Sequence, residues 1–297
     1  MKRYRSELLV LYCLVLLLIT VGITGKCQKL IITELKIRDV VKKEIDYDSF
    51  RNVRINKKNL EKIRKLADEC LTAYPYLAGY PYTDYIGYLT FSMMMADYDL
   101  VGGKVPDIDT FLRGIGRVSA TGVFKELYPY YKAIFSDIRY FPIPSMGKNA
   151  DTVSFEDSWM APRSYGGNRK HEGTDIMSGN NIRGYFPVVS ITNGTVEKIG
   201  WLEKGGNRIG IRADSGAYFY YAHLDSYAPG LKAGDYVTAG QLLGFMGDSG
   251  YGKEGTVGKF DVHLHLGIYV PSDSIEMSVN PYWILTILED SRTELVH

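Results

Sequence analysis

Hydrophobic and polar positions divide the chain into regions of different pattern, and the first region is an uninterrupted apolar run. The run extends from Leu8 to about Gly25 and follows the basic residues Lys2, Arg3 and Arg5. About 18 apolar residues are close to the minimum that crosses a bilayer as a helix, and the basic flank is expected to stay in the cytoplasm. The pattern predicts residues 1–26 as a cytoplasmic stub and transmembrane anchor. A cleaved signal peptide, which would make the protein secreted, is the alternative, but no A-x-A-like site follows the run.

Helical periodicity dominates from residue 27 to residue 148. An amphipathic helix is predicted by apolar residues that recur at helical spacing on a charged stretch, namely Leu60, Ile63, Leu66, Ala67 and Cys70. We interpret the tyrosine-rich stretch 71–100, which contains Met93–Met95, as helical core; a substrate-contacting surface is the alternative. The sequence therefore predicts a mostly helical, extracytoplasmic region over 27–148. Its role stays open between a spacer, an inhibitory pro-region and a partner-docking domain.

A cluster of helix breakers at 142–149 marks the start of a different pattern. Beyond it, short runs of β-branched and aromatic residues alternate with glycine-containing turns, which predicts an all-β domain over 149–297. The predicted strands are Val188–Ile191, Thr195–Ile199, Arg208–Ala213, Ala217–His223, Gln241–Met246 and Val262–Val270. The predicted fold class is therefore α+β, with an N-terminal membrane helix and a helical region followed by an antiparallel all-β domain.

Composition narrows the possible functions only in part. The chain has 297 residues, of which 45% are hydrophobic, so it can build a substantial core. Lys and Arg number 35 against 34 Asp and Glu, and a net charge of +1 gives no general attraction to nucleic acid. Cys13, Cys27 and Cys70 are odd in number and lack C-x-x-C spacing, which argues against a disulfide framework. Any metal site must therefore be built from histidines and carboxylates.

Histidines are concentrated in the β-rich half, and their spacing predicts a metal site. His171 and Asp175 form an H-x-x-x-D motif, and His263 and His265 form H-x-H within a predicted strand. Because side chains alternate along a strand, both histidines of the pair point to one face. His171, Asp175 and one of the pair would supply the three protein ligands of a hydrolytic zinc site, and the residues alone leave open which one. The remaining histidine and His223 would then transfer protons.

The segment that carries these motifs resembles the lysostaphin-type (LytM-like, M23) family of zinc endopeptidases, which cut peptidoglycan peptides. The resemblance extends from near Phe155 to near Trp283 and leaves the helical region uncovered. The phrases that match, in the order and rough spacing of that family, are Arg169–Ile176, Tyr221–Leu224, Gly244–Gly250 and His263–Leu266.

The resemblance implies a role for each motif residue. It implies that His171, Asp175 and His265 bind Zn²⁺, and that His223 and His263 flank the attacking water as catalytic residues. The implied fold is an antiparallel LytM/lysostaphin-like domain. No counterpart of the additional active-site tyrosine of some members is assigned, and Tyr165 and Tyr221 stay open.

The resemblance also implies a zinc metalloendopeptidase that hydrolyses peptidoglycan peptides in cell-wall remodelling. Its peptidase domain would lie outside the cytoplasm, held to the cell membrane by a single pass. The alternative is a catalytically idle module that binds cell wall or regulates amidases. The bond that is cleaved stays open between stem peptide and cross-bridge.

Two weaker signals complete the sequence picture. Asp225 and Asp261 lie two residues from histidines of the motifs, so they could orient imidazole rings, although simple exposed loop acids are the plainer interpretation. Residues 230–241 resemble the hairpin phrase of biotinyl or lipoyl carriers, but the phrase lacks the methionine that flanks the carrier lysine. We therefore expect no covalent cofactor.

Overall fold

The structure is a computed structural model that describes residues 2–147, 151–163, 168–272 and 276–294. Its N-terminal half is helical, as the periodicity predicts. The α-helices are α1 (Lys2–Val40), α2 (Tyr47–Arg51), α3 (Lys57–Ala73), α4 (Tyr85–Met95), α5 (Ile108–Val118), α6 (Gly122–Phe135) and α7 (Tyr282–Leu288), and a short 3₁₀ helix covers Pro75–Gly79. Two short strands, β1 (Arg54–Ile55) and β2 (Asp99–Leu100), pair in parallel between these helices.

The first helix has two sections with different surroundings. The apolar side chains between Leu14 and Ile23 are exposed, whereas Ile37 and Val40 are buried among the other helices. Within the described residues, α1 contains the one helix segment that is long and apolar enough to cross a membrane, a test that a signal sequence also passes. The helix does not end at the predicted boundary near residue 26, because it continues unbroken into the helical half.

The helical half packs around α4, in which every residue from Ile86 to Met95 is buried. Met93, Met94 and Met95 are at most 6% exposed, which confirms their interpretation as core residues. The predicted amphipathic helix is α3, and its buried residues Leu60, Ile63, Ala67 and Cys70 belong to the predicted stripe. Asn56 caps α3, because its side chain accepts a hydrogen bond from the Asn59 amide.

The second half is dominated by an antiparallel sheet, which confirms the predicted fold class. The strands are β3 (Val153–Phe155), β4 (Pro162–Arg163), β5 (Arg169–Lys170), β6 (Thr174–Ser178), β7 (Pro187–Val189), β8 (Gly194–Leu202), β9 (Gly206–Ala213), β10 (Tyr218–Tyr227), β11 (Tyr236–Val237), β12 (Leu242–Met246), β13 (His263–Val270) and β14 (Met277–Val279). Each predicted strand overlaps an observed one. The sequence missed the short strands β3, β4, β5, β6, β11 and β14 and the C-terminal helix α7.

Among the described residues, ten strands form the main sheet. Its central path runs β11-β8-β9-β10-β13-β6-β3, while β12 and β7 extend from β10 and β14 pairs with β13. The strands β4 and β5 form a separate antiparallel pair. Alternation along β13 buries Leu264 and Leu266 on one face, so His263 and His265 must emerge on the opposite, open face.

The helical half and the sheet share one hydrophobic core. Backbone hydrogen bonds join them, from the Arg139 amide to the Ile191 carbonyl at 2.9 Å and from the Phe141 amide to the Ser291 carbonyl at 2.8 Å. Arg51 adds a polar connection, because its guanidinium donates to the backbone carbonyl of Ser278 at 2.8 Å. The helices therefore support the sheet from its buried side and leave its other face open.

Candidate functional site

An open groove of about 700 Å³ crosses the exposed face of the main sheet. Its floor consists of side chains that share this face because residues two apart on a strand point the same way. The strands meet in register there, since Ala222 of β10 pairs with His265 of β13, and His265 pairs with Asp175 of β6. None of the residues that line this groove belongs to the described helical region 27–147.

Three of the predicted ligand residues converge at one end of the groove. The Nε2 atom of His171 lies 3.1 Å from Oδ1 of Asp175 and 3.0 Å from Nδ1 of His265. The third side of the triangle, between Nδ1 of His265 and Oδ1 of Asp175, measures 2.9 Å. One imidazole nitrogen from each histidine and one carboxylate oxygen thus share a small volume, and these atoms could hold a metal ion.

The spacing and chemistry of these atoms fit a zinc ion. The ligand atoms of a tetrahedral Zn²⁺ with bonds of about 2.0–2.1 Å lie roughly 3.3 Å apart. The three observed separations are slightly shorter, so a spread of a few tenths of an ångström would accommodate the ion. Imidazole nitrogen and carboxylate oxygen are also the donors that hydrolytic zinc sites use, together with one open position.

The supporting contacts of His171 and Asp175 orient the donor atoms. Nδ1 of His171 lies 3.2 Å from the Ser158 carbonyl. A carbonyl only accepts, so Nδ1 donates and Nε2 keeps its lone pair for the site. The second carboxylate oxygen of Asp175 accepts from Arg163 at 2.5 Å. Burial raises the pKa of Asp175, but the adjacent imidazoles of His171 and His265 outweigh it and hold the pKa far below its usual range.

Gly173 is required where it stands because His265 lies against its backbone. A Cβ atom added at this position would lie 2.4 Å from Cε1 of His265 and 2.7 Å from the Leu266 carbonyl oxygen. Two atoms of these kinds cannot approach so closely. Only glycine therefore lets the segment that carries His171 and Asp175 pack directly against the His265 ring.

The other two predicted residues, His223 and His263, lie beside the triangle. Nε2 of His263 is 3.8 Å from Oδ1 of Asp175, and the rings of His223 and His263 are 4.8 Å apart between centroids. Nδ1 of His223 donates to the Ser249 carbonyl at 2.8 Å, and Nδ1 of His263 donates to the Asp261 carbonyl at 2.7 Å. In both rings Nε2 is left as the acceptor, so each can take a proton from a group in the groove.

A β-bulge brings His223 onto the open face. Because Ala222 lines the groove, strand alternation alone would direct His223 towards the core and Leu224 back to the open face, yet Leu224 is fully buried. The pairing of β10 with β9 shifts between Tyr221 and Leu224, and His223 adopts a left-handed φ of +63°. This extra residue turns the ring outward, at a backbone cost of order 1–3 kcal/mol.

Aromatic side chains enclose the two imidazoles that are not in the triangle. The ring of Phe260 lies 4.6 Å from His223 and 5.0 Å from His263 between centroids. Tyr251 packs on Phe260 at 4.9 Å. Burial, followed by the charges of the neighbouring histidines, lowers the pKa of His223 from 6.5 to about 3. His223 is therefore neutral near pH 7 and available as a proton acceptor.

The weaker sequence signals have mixed outcomes. Asp261 does orient His263, but through its backbone carbonyl, while its carboxylate accepts from Asn181. The hydrogen bond of His223 goes to Ser249 and not to the carboxylate of Asp225. Tyr221 is fully buried and its hydroxyl accepts from the Ile191 amide, so it faces away from the groove. Tyr165 lies outside the described residues.

Sequence reasoning missed several groove residues. Arg163 contacts the Asp175 carboxylate, Ser158 and Ser249 accept from imidazoles, and Arg208 and Tyr220 line the floor. The position of Arg208 was predictable from the sequence. It precedes Ile209 in the predicted strand Arg208–Ala213, so an inward-facing Ile209 places Arg208 on the opposite face. Ser249 stands in the phrase Gly244–Gly250 but acts through a main-chain atom, which its side chain does not reveal.

The segment that carries the site is similar to known peptidases. The model of peptidase family M23 matches residues 169–281. An L-Ala–D-Glu endopeptidase of Bacillus subtilis is 42% identical over 159 residues, which are 54% of this chain and 46% of the relative. Lysostaphin of Staphylococcus staphylolyticus is 36% identical over 97 residues, or 32% of this chain and 18% of lysostaphin. The chain thus spans less than half the length of these curated relatives.

A solved structure matches over a larger part of the chain. A LytM protein of Ruminococcus gnavus, known from a crystal structure at 1.60 Å resolution, superposes with a TM-score of 0.69 at 42% sequence identity. The match covers 88% of this chain and 98% of that protein. The similarity therefore includes most of the helical half, which the matched family region leaves out.

Proposed function

Because this chain belongs to peptidase family M23, we propose that it is a zinc-dependent endopeptidase that hydrolyses peptide bonds of peptidoglycan. One observation carries the proposal: the donor atoms of His171, Asp175 and His265 lie within 3.1 Å of one another at the end of an open groove. The two curated relatives, an L-Ala–D-Glu endopeptidase and lysostaphin, support a peptide of the cell wall as the substrate.

His171, Asp175 and His265 hold the metal in this proposal. When bound there, Zn²⁺ acts as a Lewis acid that polarises the scissile carbonyl and acidifies the attacking water to a pKa of about 7. The Ser158 carbonyl fixes the His171 ring, and Arg163 holds the second carboxylate oxygen of Asp175. These contacts orient the donor atoms before metal arrives, which reduces the cost of assembling the site.

His223 and His263 transfer the protons of the reaction. Both rings present an Nε2 lone pair towards the groove, because each Nδ1 donates to a backbone carbonyl. One ring takes the proton of the attacking water. That proton then passes to the leaving amine, either directly or through the other ring, which donates a hydrogen bond to the developing oxyanion while it is protonated. Phe260 packs against both rings, excludes water from their sides and keeps their separation fixed.

We propose that α1 anchors the protein as a single-pass helix with the peptidase outside the cytoplasm. The exposed apolar side chains from Leu14 to Ile23 contact no other part of the described core, which suits a lipid environment. The positions of Lys2, Arg3 and Arg5 before this segment suit a cytoplasmic N-terminus. A peptidoglycan substrate would then be on the same side as the groove.

The decisive test uses the purified full chain in detergent, loaded with zinc, on isolated cell-wall sacculi. We expect soluble peptides with new amino termini, and we expect their release to stop when a chelator removes the metal or when His171 is replaced in His171→Ala. Full zinc occupancy without peptide release would instead indicate the idle wall-binding or amidase-regulating module. Release at the parental rate by His171→Ala would refute the assignment of the site.

A further inference from the structure

The groove contains a cationic side chain that has no carboxylate partner among the described residues. Arg208 projects from β9 into the groove, and its Nη1 atom is buried without a hydrogen-bond partner among the described residues. No carboxylate in the described part of the chain forms an ion pair with it. A buried guanidinium nitrogen without an acceptor is costly, because hydrogen bonds to charged groups contribute more than ordinary ones.

The neighbours of Arg208 do not neutralise it. Tyr218 and Tyr220 are the adjacent phenols on β10, and burial raises the pKa of both side chains above their ordinary value. Both phenols are therefore neutral at physiological pH. They form a polar but uncharged wall around the guanidinium and leave its positive charge uncompensated.

Arg212 shows what a satisfied arginine on the same strand face looks like. It lies four residues beyond Arg208 in β9 and forms ion pairs with Glu197 at 2.6 Å and with Glu276 at 2.5 Å. The strand therefore carries one arginine with two carboxylate partners and one without any in the described structure. The contrast indicates that the partner of Arg208 comes from outside the chain.

Other charges in the groove reinforce this conclusion. Lys170, Lys198 and Lys204 also line it. Each acidic residue that lines it already has an arginine partner: Glu172 pairs with Arg51, Asp175 with Arg163 and Glu276 with Arg212. The groove thus presents a positive surface to a ligand, and a carboxylate is the group of opposite charge that a cell-wall peptide offers.

Register places Arg208 within reach of a substrate that occupies the proposed active site. Arg208 lies opposite the bulge at Ala222 and His223, and Ala222 pairs with His265 on the next strand. Two strand spacings separate Arg208 from His265, which is roughly 10 Å between backbones. An extended peptide covers this distance in about three residues.

We infer that Arg208 binds a free carboxylate of the substrate peptide, at most about three residues from the scissile bond. This inference rests on the proposed function and gives it a substrate class. The enzyme selects acidic stem-type peptides over neutral ones such as a glycine cross-bridge. A γ-linked glutamate fits this description, because its α-carboxylate stays free when its γ-carboxyl forms the peptide bond.

The test compares two peptides that differ in one functional group. One is L-Ala–γ-D-Glu–L-Lys–D-Ala with an amidated C-terminus, and the other carries a carboxamide in place of the glutamate α-carboxylate. We expect the zinc-loaded full chain to prefer the carboxylate peptide in kcat/KM by roughly 10- to 100-fold. Arg208→Gln should lose this preference by slowing cleavage of the carboxylate peptide alone, and Arg208→Lys should retain part of it.

Arg212→Gln is the matched control, since it removes a guanidinium from the same strand face whose partners are already within the chain. It should keep the full preference. An unchanged preference in Arg208→Gln, or no preference in the parent, would overturn the inference. Thermal unfolding of each variant shows whether it folds. If Arg208→Gln does not fold, the partial preference expected of Arg208→Lys decides the test.

Equilibrium binding separates this inference from the proposed function. The metal-free protein cannot turn the peptides over by the proposed mechanism, so titration calorimetry measures their affinities directly. A carboxylate preference in binding with no hydrolysis by the zinc-loaded protein would support Arg208 and refute the enzyme. Hydrolysis of both peptides at equal rates would support the enzyme and refute the role of Arg208.

Discussion

The substitution Gly173→Ala tests the site without removing any of its chemical groups. The added Cβ would lie 2.4 Å from Cε1 of His265, whereas ordinary contacts begin near 3.4 Å. The His265 ring or the segment that carries Gly173 must therefore move by about 1 Å. The Leu266 carbonyl oxygen, 2.7 Å from the added Cβ, prevents an easy shift of the segment. A misplacement of about 1 Å costs on the order of 10²-fold in rate.

We therefore expect Gly173→Ala to bind zinc 10- to 100-fold more weakly and to cleave sacculi about 100-fold more slowly, although His171, Asp175 and His265 are all present. Competition with a chromophoric chelator measures the affinity, and peptide release measures the rate. Gly116→Ala is the control, since nothing lies within 4 Å of its added Cβ, and it should raise stability by about 0.5–1 kcal/mol. Parental zinc affinity and activity in Gly173→Ala would refute the argument that close packing sets the geometry.

Three further predictions concern the surroundings of the triangle. His223→Ala should keep its zinc, because its ring is not one of the three donors, and lose about 10²- to 10⁴-fold in kcat; a near-parental rate would exclude His223 from proton transfer. The pKa of His223 falls from 6.5 to about 3 on folding of the metal-free protein. Between these two pH values, His223 is protonated in the unfolded state but not in the folded state. Stability should then decrease as pH falls from about 6.5 to 3, by up to roughly 5 kcal/mol, and urea titrations of His223→Gln should show a shallower dependence. Arg51→Ala removes hydrogen bonds to Ser278 and Glu172 and should lower the free energy of unfolding in urea by about 1.5–3 kcal/mol. The control Arg113→Ala, at an exposed position, should change this free energy by less than about 0.5 kcal/mol.

The sequence was sufficient where local periodicity decided the outcome. The H-x-H spacing of His263 and His265 predicted two rings on one strand face, and the structure has both within 4 Å of the same oxygen of Asp175. The stripe of α3 predicted its buried face for the same reason, because one repeating pattern determines which side chains meet the core.

The sequence was insufficient where an irregularity or a distant contact decided the outcome. Simple alternation would have buried His223, and only the bulge and its left-handed backbone bring it to the groove. No strand was predicted at Asp175, but it lies in β6, whose short length between Gly173 and Ser178 hides its period. The bond from Arg51 to Ser278 joins residues 227 positions apart, a contact for which no local pattern exists.

The unbroken course of α1 has a mechanical consequence for the arrangement proposed at the membrane. Fifteen residues separate Gly25 from Val40, which at 1.5 Å per residue form a rod of about 22 Å. Because Ile37 and Val40 are buried in the folded domain, this helical segment cannot rotate relative to the domain at its C-terminal end. The groove would then be held at a fixed distance from the bilayer and at a fixed tilt. The enzyme could diffuse laterally in the membrane, but it would reach only the layer of cell wall at that distance.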